Sequence, residues 1–118
     1  VAPVKAVYGN IDGHKIRAHW PEHMRFTAEG VDVWMTHIGG YPGRYDSRVR
    51  PAIYQNPPSL FICGHSHILK VVNDKKLVLL HMNPGAMGKQ GFHQLRTMLR
   101  FKMEAGRIFD LEVVELKR

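Results

Sequence analysis

Apolar and polar positions divide the chain into short strands, a few short helices and glycine-rich turns. Residues 4–8, VKAVY, have strand character and break at Gly9-Asn10. The polar stretch IDGHKIRAHWPE then predicts a loop with a short helix. HMRFTAEG and VDVWMTHIGG predict two strands joined at Glu29-Gly30. The Pro- and Gly-rich stretch 41–59 predicts a short helix over Asp46 to Gln55, stopped by Pro57-Pro58. LFICG, residues 60–64, is a continuous apolar run of strand length, the kind buried on both faces.

Beyond residue 67 the pattern becomes strand-rich. HILKVVNDKKLVLLHMN reads as a hairpin turning at NDKK, and NPGAMGKQG as a loop. The last hairpin turns at EAG. Its first strand sets Leu95, Thr97, Leu99 and Phe101 on one face and Arg96, Arg100 and Lys102 on the other, and its return strand spans Ile108 to Leu116. Trp20, Trp34, Met82, Met87, Met98 and Met103 are assigned to packing, and His14, His19 and His23 to the surface. The fold class expected is α/β, with a C-terminal half rich in β-hairpins.

At 118 residues the chain is one domain. No window carries 18 uninterrupted apolar residues, which excludes a spanning helix, and the first residues lack the pattern of a signal peptide. Cys63 is the single cysteine and lies within an apolar run, so it reads as a small buried hydrophobe in a reducing, cytoplasmic setting. The net charge of +7 is spread from Lys5 to Arg118 without a basic block, so a nucleic-acid partner ranks last.

The eight histidines carry the chemistry. AVYGNID, VWMTHIGG and FICGHSH are each an apolar strand ending in a glycine and a metal-capable side chain. Loops beyond the carboxyl ends of strands are where α/β sheets bind ligands. Asn10, His37, His65 and His67 are therefore candidates to converge on one site. Imidazole with oxygen donors suits divalent Mn, Fe, Co, Ni or Zn. For any one histidine alone, capping a strand end is the plainer reading; three segments repeating the arrangement favour a site. His81 either points at the same cleft or is satisfied within its strand. His93 and Arg96 either contact a phosphate or mark an exposed loop end. A pair of divalent cations also needs bridging carboxylate. Of the five aspartates, only Asp12 stands near a proposed ligand, so the site is short of negative charge.

These segments resemble the calcineurin-like metallophosphoesterases, in particular their small bacterial and archaeal phosphodiesterases. GNID at 9–12, THIGG at 36–40, GHSH at 64–67 and NPG at 83–85 follow the family order, with Ile38 where small members usually carry glycine. The resemblance implies a sandwich of two central β-sheets flanked by helices. It implies that Asn10, His37 and His65 bind one divalent metal of a pair, manganese foremost, and His67 the other. Asp12 would orient the site, while Asn83, Gly85 and His93 would contact a phosphodiester or nucleotide substrate. The family's opening Asp-x-His and Gly-Asp motifs are absent. Residues 1–118 are therefore expected to form the C-terminal part of one such domain, self-associating through exposed strand edges. The general acid that many members carry after Gly-Asn is replaced by Ile11. The competing reading is a non-catalytic scaffold similar to the retromer subunit of this fold.

Overall fold

A computed structural model describes residues 3–88, 91 and 95–117. The described chain is a mixed α/β fold built on a five-stranded sheet of order β1-β2-β5-β7-β6. β1 (His23–Ala28) and β2 (Val31–Thr36) pair antiparallel through the expected turn. Glu29 and Gly30 both take positive φ there, 50° and 78°, as a tight two-residue hairpin requires. β5 (Leu60–Ile62) lies between β2 and β7 (Leu79–Pro84), parallel to both. That central place accounts for its unbroken apolar run: Leu60 and Phe61 are 0% exposed. β6 (Leu69–Asp74) closes the far edge, antiparallel to β7. Asp74 caps the NDKK turn by accepting from the amides of Lys76 and Leu77.

Each face of this sheet has its own cover. On one, Trp34, Phe61, Cys63 and Leu79 pack with Tyr45, Val49 and Ile53. Ile53 belongs to the helix α2 (Arg50–Gln55). On the other, Val31, Val33, Leu60 and Met82 meet Leu99, Phe101, Met103 and Ile108. Those residues come from a hairpin of β8 (Leu95–Glu104) and β9 (Arg107–Lys117), which forms the second sheet. The two hairpin turns touch: the Gly106 amide donates to the Glu29 carbonyl at 2.8 Å. A Cβ on Gly30 would stand 2.9 Å from the Gly106 nitrogen, so glycine is required for the approach.

The expected strand over 4–8 does not form. Extended backbone needs a partner to become a strand, and among the described residues the segment finds one backbone bond, at its end, from the Tyr8 amide to the Pro21 carbonyl. The helix expected over Asp46 to Gln55 is confined to α2. Residues 46–49 are a turn in which the Asp46 carbonyl takes the amides of Val49 and Arg50, and Pro51 opens the helix. A small ribbon of β3 (Gly40–Tyr41) and β4 (Arg44–Tyr45) occupies YPGRY, which the apolar pattern did not signal. The short helix expected after GNID is α1 (His14–His19), with no buried residue. The last hairpin carries a bulge at Asp110, φ 53°, that shifts register between Arg100 and Lys102. Met82 and Met103 pack as expected, but Met87 and Met98 lie largely in solvent. Trp34 is core, while Trp20 is only half-buried.

Candidate metal centre

Parallel pairing of β2 with β5 positions the site. The register Val33↔Leu60 through Met35↔Ile62 carries forward past both strand ends, so that the Gly64 amide donates to the His37 carbonyl at 2.9 Å. His37 and His65 thus emerge side by side at the carboxyl edge, with ring centroids 5.2 Å apart. Asn10 arrives from the loop before α1. Its Oδ1 lies 2.8 Å from His37 Nε2 and 3.1 Å from His65 Nδ1. Two imidazole nitrogens and one amide oxygen from three separate segments therefore converge.

The loop holding Asn10 is clamped twice. Asp12 Oδ2 accepts from the Gly9 amide at 2.7 Å, and Arg17 donates to the carbonyls of Asp12 and Asn10 at 2.8 and 3.1 Å. Burial, then the neighbouring charge of His65, pushes His37 below the ordinary histidine range. Asp12 opposes the shift, and His67 adds to it. His37 is therefore held neutral, with a lone pair to offer. His67 is near enough to act on His37 through its charge, yet it is not part of the three-atom convergence.

The Gly64–His67 turn is strained and strapped. His65 and His67 take φ of 70° and 63°, a region that costs a non-glycine residue on the order of 1–3 kcal/mol and that collects at functional sites. Asn83, 4% exposed, holds the turn by donating from Nδ2 to the Gly64 carbonyl and the Ser66 hydroxyl, both at 3.1 Å. Its Oδ1 accepts from the Gly85 amide at 3.0 Å. Gly85 has φ 78°, and a Cβ there would collide with the Thr97 hydroxyl. His93 lies outside the described residues.

The other aspartates are occupied elsewhere. Asp32 forms an ion pair with Arg25, Asp46 accepts from the Arg48 amide, Asp74 accepts from the Tyr45 hydroxyl and Asp110 pairs with Lys102. Among the described residues no three His, Cys, Asp or Glu side chains gather as a metal-binding group. His81 is buried in the core and bonded through one ring nitrogen: its Nε2 lies 3.0 Å from the Gly40 carbonyl, its Nδ1 is buried without a partner among the described residues, and burial lowers its pKa. Cys63 is 3% exposed and burial pushes its thiol up to about 12, which makes it inert as a nucleophile.

The sequence profile of the calcineurin-like phosphoesterase superfamily domain matches residues 1–106. The chain belongs to that superfamily. No curated protein matches it in sequence. Solved structures share its fold, among them the following three. A Thermotoga maritima protein is 23% identical, with TM-score 0.66, over 95% of this chain and 65% of that one. Vps29 of Entamoeba histolytica complexed with zinc is 16% identical, with TM-score 0.66, over 97% and 68%. An archaeal phosphodiesterase is 19% identical, with TM-score 0.59, over 93% and 67%. This calcineurin-like chain thus spans about two thirds of their length. At these identities the likeness is one of fold.

Proposed function

We propose that the chain contributes the amide-and-imidazole part of a binuclear metal centre that hydrolyses phosphodiesters of small molecules or nucleotides. One observation carries the reading: Asn10 Oδ1 within 2.8 Å of His37 Nε2 and 3.1 Å of His65 Nδ1. This donor set, neutral and mixed N and O, fits a divalent transition ion, manganese foremost, with Fe, Co, Ni or Zn also suited. Asn10, His37 and His65 would hold one ion and His67 the second. Bound there, the ions would supply Lewis acidity and a water of lowered pKa. The chain's own residues do the positioning. Asp12 and Arg17 fix the Asn10 loop, and Asn83 and Gly85 hold the wall beside His65. His93 would complete the substrate contacts. The setting is a reducing cytoplasm.

Ile11, 82% exposed, stands where an acid would protonate the leaving group, and its side chain transfers no proton. Absence of a positioned acid costs about 10²–10⁴-fold, so turnover would fall steeply as the leaving group becomes more basic. That no three His, Cys, Asp or Glu side chains gather among the described residues favours a second reading, a scaffold with this fold and no turnover. Elemental analysis after chelator-free purification, with hydrolysis of a nitrophenyl phosphodiester in added manganese, separates the two. Asn10→Ala should cut metal retention at least tenfold. A wild-type chain that retains no metal refutes the centre and leaves the scaffold.

A further inference from the structure

Beside the metal centre lies a cavity of about 320 Å³, with Asn10 and His37 on one wall and Tyr8, Arg17, Glu22 and Arg48 around the rest. Nothing in the proposed hydrolysis uses its far side. Arg17 is fixed there, bonded to the Asn10 and Asp12 carbonyls with its guanidinium carbon 4.5 Å over the Tyr8 ring. Those bonds engage two of the five N–H donors of a guanidinium, and they hold the charge in place before any ligand arrives. Arg48, its side chain 56% exposed, has among the described residues a loose ion pair with Asp46 at 3.9 Å. Glu22 opposes them, but its carboxylate accepts from the Tyr8 hydroxyl at 3.2 Å and lies 3.7 Å from His23. Within the lining two guanidinium groups stand against one carboxylate, and Asp46, outside it, offsets Arg48 in part. Planar forks of this kind match the oxygens of a phosphoryl group. The volume exceeds what one phosphate fills and lies at the small end of ligand sites.

We propose that this cavity is an anion subsite in which Arg17 and Arg48 seat a second phosphoryl group of the substrate. The assignment of that group to a substrate rests on the phosphoesterase reading; the anion site itself does not. Calorimetric titration of the full chain with inorganic phosphate in EDTA tests the site without metal. Arg48→Ala should weaken phosphate binding at least tenfold and Arg48→Lys should restore part of it. Lys75→Ala, in the β6–β7 turn, should leave it unchanged. Affinity that is indifferent to Arg48→Ala, or reduced equally by Lys75→Ala, overturns the proposal in favour of general attraction to a basic protein. Manganese titration of a separate, EDTA-free sample without phosphate scores the metal centre by itself, so its loss cannot be mistaken for loss of the anion site.

Discussion

Asn83→Ala removes a side chain whose work is to hold the Gly64–His67 turn against β7. Three hydrogen bonds disappear, at 3.1, 3.1 and 3.0 Å, in a site where Asn83 is 4% exposed. Each contributes about 1 kcal/mol net, and each buried partner left without a replacement costs about 1–3 kcal/mol more. Water can reach the half-exposed side of Gly64, so the total should be about 2–4 kcal/mol. With a urea slope of about 1–3 kcal/mol per molar, the unfolding midpoint should fall by on the order of 1–2 M. A second consequence is local. His65 and His67 keep positive φ only while their surroundings impose it. In the variant, the amides of residues 64–67 should therefore exchange with solvent faster than the loss of global stability requires. Urea denaturation and amide exchange measure the two effects. A midpoint shift below about 0.3 M, with unchanged exchange at 64–67, would refute the assignment of Asn83 as the strap.

Gly85→Ala should also destabilise, by at least about 1 kcal/mol, because φ 78° disfavours any Cβ and the Thr97 hydroxyl occupies its place; thermal unfolding measures it, and an unchanged midpoint counts against the close approach. Cys63 should resist a disulfide-exchange reagent in the folded protein and react only on unfolding, since it is buried with its thiol pushed up to about 12. Burial lowers the pKa of both His37 and His81, so the folded state prefers them neutral. Their contribution is present above the ordinary histidine value of 6.5 and is lost as pH falls through their lowered folded values. Chemical denaturation between pH 8 and 5 should show that decline, and a flat profile would contradict it. The edge strands β1 and β6, with Leu111 and Val113 about 40% exposed on the hairpin, predict self-association at high concentration, which light scattering would detect.

What the sequence determined by itself are the features set by local periodicity and turn chemistry. The β1–β2 and β8–β9 hairpins were legible because Gly30 and Gly106 mark turns between strand-like runs, and both glycines take positive φ there. β5 was legible because only a strand covered on both sides is apolar at every position. The likeness of GNID, GHSH and NPG to the phosphoesterase family was equally plain, since those motifs are contiguous. Tertiary structure decided what depends on a partner distant in the chain. Residues 4–8 have the composition of a strand and lack a ladder to join. The Asp110 bulge arises from how the hairpin lies on the sheet, and nothing in LRFKMEAGRIFDLE marks it. The inward turn of the Asn83 amide, which bonds Gly64 nineteen residues away, could not be read from NPG alone. The convergence of Asn10, His37 and His65 is the mixed case. Each strand end announced its donor, but only the parallel register of β2 and β5 set the two imidazoles 5.2 Å apart, and only the fold of the loop before α1 brought the amide between them.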